Sequence, residues 1–141
     1  ALPIYMERTL ELTDRDFEGL CFVNLVDFDM MYGHRNDIDG YVAALNEVDI
    51  QIGRLMEKMG PEDLLMITAD HGCDPGFKGT DHSREYTPCL CYGRNLKKGI
   101  DLGTRSSFAD IAQTIADIFG VAYGGDGESF YKNILTSKKF A

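Results

Sequence analysis

The stretch Leu64-Leu65-Met66-Ile67-Thr68-Ala69-Asp70-His71-Gly72 decides the fold of this chain. Four apolar residues run into a carboxylate and an imidazole side by side, and a glycine follows. The apolar run predicts a strand over residues 63–69, buried on both faces. Asp and His are costly to bury unpaired, and both ligate divalent cations well. A strand that ends in this pair raises the question of what else reaches its carboxyl end.

Upstream, Leu20-Cys21-Phe22-Val23-Asn24-Leu25-Val26 is a second nearly continuous apolar run and predicts a second strand. It leads into Asp27-Phe28-Asp29-Met30-Met31-Tyr32-Gly33-His34-Arg35-Asn36. Between the two runs, Tyr41, Ala44, Leu45, Val48, Ile52, Leu55, Met56 and Met59 recur at spacings of three and four, which predicts a helix. Asp37 or Asp39 serves as its N-cap, and Gly60-Pro61 stops it. Strand, helix, strand is a βαβ unit with parallel strands.

Downstream, the Gly- and Pro-bearing stretch 72–86 reads as a loop, and Thr87-Pro88-Cys89-Leu90-Cys91-Tyr92 as a short edge strand. No crossover helix intervenes, so this strand is expected antiparallel to 63–69. Ser107 and Asp110 resemble a capping box. Phe108, Ile111, Ile115, Ile118 and Phe119 then mark one apolar helix face that ends at Gly120. Residues 1–19 read as a polar lead-in with a short helix at Met6–Leu12. Residues 20–135 read as one metal-binding core, and 136–141 as a tail with Lys138 and Lys139 frayed.

The chain has 141 residues, 44% of them hydrophobic and 26% charged, as in an ordinary globular domain. Its net charge of −9 argues against nucleic acid, because nothing would neutralise the phosphates of a duplex. A phosphorylated small molecule stays compatible, since a bound cation reverses the local potential. No apolar run reaches the ~18 residues of a membrane span. The N-terminus carries no secretory pattern, which sets a cytoplasmic expectation. Cys21, Cys89 and Cys91 lie in apolar runs and are expected as buried reduced thiols. Cys73, just after the Asp-His pair, could approach a cation.

Open α/β sheets bind ligands beyond the carboxyl ends of their parallel strands. The run 20–26 delivers Asp27, Asp29 and His34 there; the run 64–69 delivers Asp70 and His71. The antiparallel return brings Asp81 and His82 to the same edge. All three histidines of the chain thus converge with carboxylates, a ligand set for Zn²⁺, Mn²⁺ or Fe²⁺. The ligands outnumber the needs of one ion, and two ions about 3.5–4 Å apart suit phosphoryl displacement. The alternative is a cluster of strand-end residues satisfied by helix N-termini and by one another. Arg35 serves either as a surface salt-bridge residue or as a phosphate contact.

Residues 24–37, 68–75 and 79–88, with Leu102-Gly103-Thr104-Arg105 and Phe108-Ala109-Asp110-Ile111, resemble the corresponding stretches of the phosphopentomutase family, within the alkaline phosphatase superfamily. The resemblance implies an α/β, alkaline-phosphatase-like sandwich: a mostly parallel sheet flanked by helices, with an antiparallel edge strand. It implies that Asp29, His34 and His82 hold one Mn²⁺ and that Asp70 and His71 hold a second. It implies a phosphoryl shift between C1 and C5 of ribose or deoxyribose, activated by a sugar bisphosphate. The family's nucleophilic threonine and cap domain match nothing here. The chain therefore resembles the C-terminal part of a core domain, partnered by the N-terminal and cap segments of the same protein and inactive alone. Cys73 stands where many relatives carry Asn. The competing readings are a fragment of another two-metal phosphatase or phosphoglycerate mutase of the superfamily, and a non-catalytic metal-binding module.

Overall fold

The computed structural model describes residues 2–136; the Lys138–Lys139 tail lies outside the described residues. The chain divides into two compact units. The first comprises residues 1–59 and 68–89, the second 60–67 and 90–141.

The first unit rests on two helices. Helix α1 spans Leu2–Leu12 and starts four residues before the expected segment. Pro3 sits in its first turn, where a missing N–H costs little. Helix α2 spans Ile38–Lys58, as its apolar period predicts. Asp37 is the N-cap, accepting the Gly40 N–H at 2.9 Å. Asp39 lies in the first turn and Lys58 in the last, both favourable to the helix dipole. Leu2, Ala44 and Val48 form a buried cluster, with Leu25, Phe28, Tyr32 and Ile52 against it. Fully burying a side chain such as Val48 contributes about 1.5–3 kcal/mol. Tyr32 is thus a packing residue. The α1 end is tied down by a bond from the Leu2 N–H to Asp27 Oδ2 (3.0 Å) and an ion pair between Lys58 and Asp14 (2.8 Å).

The expected strand at 20–26 is not formed. A strand exists only through its ladder, and among the described residues no strand lies beside this one, so the parallel βαβ pairing is not made. Leu20 is 62% exposed and Phe22 83%. Cys21 is exposed rather than buried, for the same reason. Its continuation is instead a π-helical turn, Phe28–Tyr32, followed by a 3₁₀ turn, Gly33–Arg35.

Strand β1 (Leu65–Thr68) pairs with β2 (Cys89–Tyr92) in a two-stranded sheet. Gly93, at the end of β2, abuts the Asp63 carbonyl just before β1, so the strands run antiparallel, as expected. Exposure alternates along β2, with Cys89 and Cys91 half-buried and Leu90 and Tyr92 exposed. Helix α3 spans Ala109–Phe119 and ends at Gly120, whose φ of +63° is the left-handed C′ conformation. Its inward face departs from the apolar stripe: Phe108 and Phe119 are exposed, and Asp110 and Thr114 are buried. Ser107 Oγ still accepts the Ala109 N–H (3.1 Å). Asp110 does not close a capping box, because its carboxylate faces inward to Arg105 Nε (2.6 Å) and the Glu128 N–H (2.8 Å). The cause is the stronger charge-assisted pair. Thr114 Oγ1 donates to the Asp110 carbonyl and accepts the Phe130 N–H, anchoring the fully buried Phe130. The short helix α4 (Tyr131–Ile134) follows, and Leu135 bridges to Leu96. No helix among the described residues is long and apolar enough to cross a membrane.

Candidate metal centre

Three segments of the first unit supply the site. The π-turn presents Asp29, and the adjoining 3₁₀ turn presents His34. The end of β1 leads to Asp70, His71 and Gly72. The loop that follows returns through an antiparallel bridge between Gly72 and Ser83, which sets His82 opposite His71. Gly72 is required by this close approach: a Cβ there would lie 2.6 Å from the Glu85 nitrogen and 2.7 Å from the Ser83 carbonyl oxygen. Ser83 Oγ accepts the Asp74 N–H (2.7 Å) and donates to Glu85 Oε2, which stiffens the return.

The histidines converge on Asp29. Asp29 Oδ2 is 3.3 Å from His34 Nε2, and Asp29 Oδ1 is 3.2 Å from His82 Nε2 and 3.8 Å from His71 Nε2. His34 Nε2 and His82 Nε2 stand 3.2 Å apart. The His71 and His82 rings stack at 3.7 Å, and those of His34 and His82 lie 4.9 Å apart. Asp29, His71 and His82 each offer one ligand atom, all within 4.8 Å of one another. Asp70 lies at the rim, 88% exposed, with Oδ1 3.6 Å from His71 Nε2. Asp27 is drawn off to the Leu2 N–H, and Asp81 is exposed.

Two carbonyls fix the ring orientations. His34 Nδ1 donates to the Thr80 carbonyl, and His71 Nδ1 donates to the Gly72 carbonyl at 3.0 Å. A carbonyl only accepts, so Nδ1 carries a proton, and Nε2 is the ring nitrogen turned toward Asp29 and the one that a metal would take. This is the arrangement that outer partners impose on metal-ligating histidines. Asp29 Oδ1 is buried and has no hydrogen-bond partner, an orphaned anionic acceptor among imidazole nitrogens. Ligands bonded at ~2.1 Å to a tetrahedral ion stand about 3.4 Å apart, close to the separations of 3.2 and 3.3 Å seen here. The donor set and its spacing fit a divalent cation.

The surroundings support the same chemistry. Burial pushes the Cys73 thiol pKa up, and the carboxylates of Asp29, Glu85 and Asp74 push it further. Both effects disfavour the Cys73 thiolate. Burial likewise raises the Tyr41 phenol, with added repulsion from Cys73 and Asp29. A cleft of about 570 Å³ opens beside His82, lined by Phe77, Ser83, Arg84 and Glu85. That volume suits a small ligand. Arg84 and Glu85 are both exposed there, and Glu85 accepts from Ser83 Oγ within the loop. Two site features were not foreseen: the Thr80 carbonyl behind His34, and Asn36, whose side chain reaches the Pro75 and Phe77 carbonyls. A left-handed Asn next to a histidine-bearing turn is the available sequence signal.

The chain is 56% identical over 130 residues to a phosphopentomutase of Lachnoclostridium phytofermentans, which covers 92% of this chain and 33% of that protein. It is 55% identical to the phosphopentomutase of Acetivibrio thermocellus (92% and 34%) and 54% identical to that of Symbiobacterium thermophilum (92% and 33%). The chain thus spans about a third of the length of the curated relatives it matches. The profile of the metalloenzyme superfamily matches residues 4–123. With most of its length under that match and its histidines gathered on one carboxylate, the chain belongs to the metalloenzyme superfamily.

Proposed function

We propose that this chain is the metal-binding part of a phosphopentomutase, an isomerase that interconverts ribose or deoxyribose 1-phosphate and the 5-phosphate. In this reading residues 20–135 form one core. Asp29, His34 and His82 hold the first of two Mn²⁺ ions, and Asp70 and His71 hold the second. When bound, the ions polarise the phosphoryl oxygens of the substrate. The protein's own residues do the rest of the arranging. His34 and His71 keep their Nδ1 protons on backbone carbonyls and so offer Nε2 outward. Arg84 lines the adjoining cleft, where its guanidinium suits a phosphate. A net charge of −9 on these residues disfavours a phosphate dianion, and bound cations would offset it. The sugar phosphate, a sugar bisphosphate activator and a cytoplasmic setting complete the proposal.

The observation that carries it is the meeting of three histidines from three segments on the Asp29 carboxylate, His34 at Oδ2 and His71 and His82 at the buried Oδ1, which has no hydrogen-bond partner. The whole protein bearing this sequence, supplied with Mn²⁺ and a sugar bisphosphate, is expected to convert ribose 1-phosphate to ribose 5-phosphate. Asp29→Asn and His82→Ala are each expected to abolish conversion. Release of inorganic phosphate in place of ribose 5-phosphate would overturn the mutase in favour of a phosphatase. Undiminished turnover in both variants would overturn the site.

A further inference from the structure

Asn36 is the single non-glycine residue among the described residues with a positive φ (53°, with ψ 32°). It lies between the 3₁₀ turn that carries His34 and the N-cap of α2. Its backbone is held on both sides. The Asn36 N–H donates to the Gly33 carbonyl (3.1 Å), and the following Asp37 N–H donates to the Tyr32 carbonyl (3.0 Å). Asn tolerates the left-handed region better than other side-chain-bearing residues. The conformation turns the amide toward the loop that returns to His82. There Nδ2 donates to the Pro75 carbonyl (3.1 Å) and the Phe77 carbonyl (3.0 Å), using both of its protons.

We propose that Asn36 is a positioning residue for the cation site, clamping the Pro75–Phe77 backbone to the His34 turn so that His34 and His82 stay in register. The clamp closes a small circuit. From Phe77 the loop runs three residues to Thr80, whose carbonyl holds His34 Nδ1, and two more to His82. His34 and His82 approach to 3.2 Å at the far side of that circuit. Releasing the amide bonds frees the loop to shift relative to the turn, and both rings lose their common aim. This role rests on the reading of His34 and His82 as cation ligands.

The test is Mn²⁺ titration of the protein, read by the electron paramagnetic resonance of free and bound ion. Asn36→Gly keeps the backbone conformation and removes the amide. It is expected to weaken Mn²⁺ by about 10–100-fold and to alter the bound-ion spectrum. A purely structural role would lower the melting midpoint of the metal-free protein and leave the affinity and the spectrum unchanged, which would overturn the proposal. Should the glycine variant fail to fold, Asn36→Asp decides, since it keeps the shape and cannot donate. Its added charge alone would tighten a cation, so weaker binding supports the clamp and equal or tighter binding overturns it. A wild-type protein that takes up no Mn²⁺ overturns the metal reading and this role with it; a wild type that binds while both variants bind equally overturns only the role of Asn36.

Discussion

Replacing Arg105 by Ala removes the partner of a buried charge in the second unit. Asp110 is 2% exposed and is held by Arg105 Nε at 2.6 Å and by the Glu128 N–H at 2.8 Å. A hydrogen bond to a charged group contributes about 1.5–3 kcal/mol, and the Arg105 guanidinium over the Phe130 ring (5.7 Å) adds about 0.5–1 kcal/mol. Breaking a fully buried ion pair costs about 3–5 kcal/mol. The Arg105 side chain is 26% exposed, so the loss falls short of a fully buried pair, and the hydrogen bond and the ring contact together give about 2–4 kcal/mol. For a chain of this size that lowers the melting midpoint by roughly 6–15 °C. The effect has a definite pH dependence. The Glu128 N–H first, and then Arg105, hold the Asp110 carboxyl below its ordinary value against the opposing effect of burial. The unfolded chain therefore binds this proton more readily than the folded one. The stabilisation is present above the unfolded value of about 3.9 and is lost as pH falls through the lower folded value. Melting curves of the wild type and Arg105→Ala by circular dichroism, at pH 7 and then stepwise below pH 4, should converge as the acid end is reached. Equal midpoints at pH 7, or a gap unchanged in acid, would refute the reasoning.

Three further outcomes follow from the packing. Gly72→Ala drives a methyl into the Glu85 and Ser83 backbone and should cost about 1–3 kcal/mol, read as a lower urea midpoint together with weakened Mn²⁺ uptake; a neutral substitution would contradict the close approach. Thr114→Val leaves the buried Phe130 N–H without its acceptor and should cost about 1–3 kcal/mol, measured by thermal melting. In the metal-free protein at pH 8, iodoacetamide should alkylate the exposed Cys21 first and Cys73 last, since Cys73 is half-buried among carboxylates that disfavour its thiolate; peptide mass spectrometry reads the order.

The parts of the structure legible in the sequence are those with local causes. Helix α2 follows from an apolar period of three and four, closed by an Asp cap and a Gly-Pro stop. The antiparallel return of β2 follows from a loop too short and too rich in Gly and Pro to hold a crossover helix. The approach of His34, His71 and His82 to one another was legible from the polar residues that follow the two apolar runs and from the antiparallel return, although the run at 20–26 forms no strand and no parallel sheet edge gathers them. What stayed hidden depends on partners far away in the chain. The run at 20–26 has the composition of a buried strand, but pairing needs a neighbour, and Phe22 is left exposed. The role of Asp110 was masked by its position three residues after Ser107, where a capping reading competes. Its true partner, Arg105, lies on the other side of that cap. Asn36 was hidden because its work is done by a left-handed backbone and two distant carbonyls.

The most direct test of the cation site is paramagnetic broadening of the histidine ring signals during Mn²⁺ titration, observed through long-range proton–nitrogen correlations. All three rings lie around Asp29, so His34, His71 and His82 should broaden together at the first additions of Mn²⁺, and Asp29→Asn should move that broadening to higher Mn²⁺. Sharp ring signals at saturating Mn²⁺, or broadening indifferent to Asp29→Asn, would contradict a metal centre at this carboxylate.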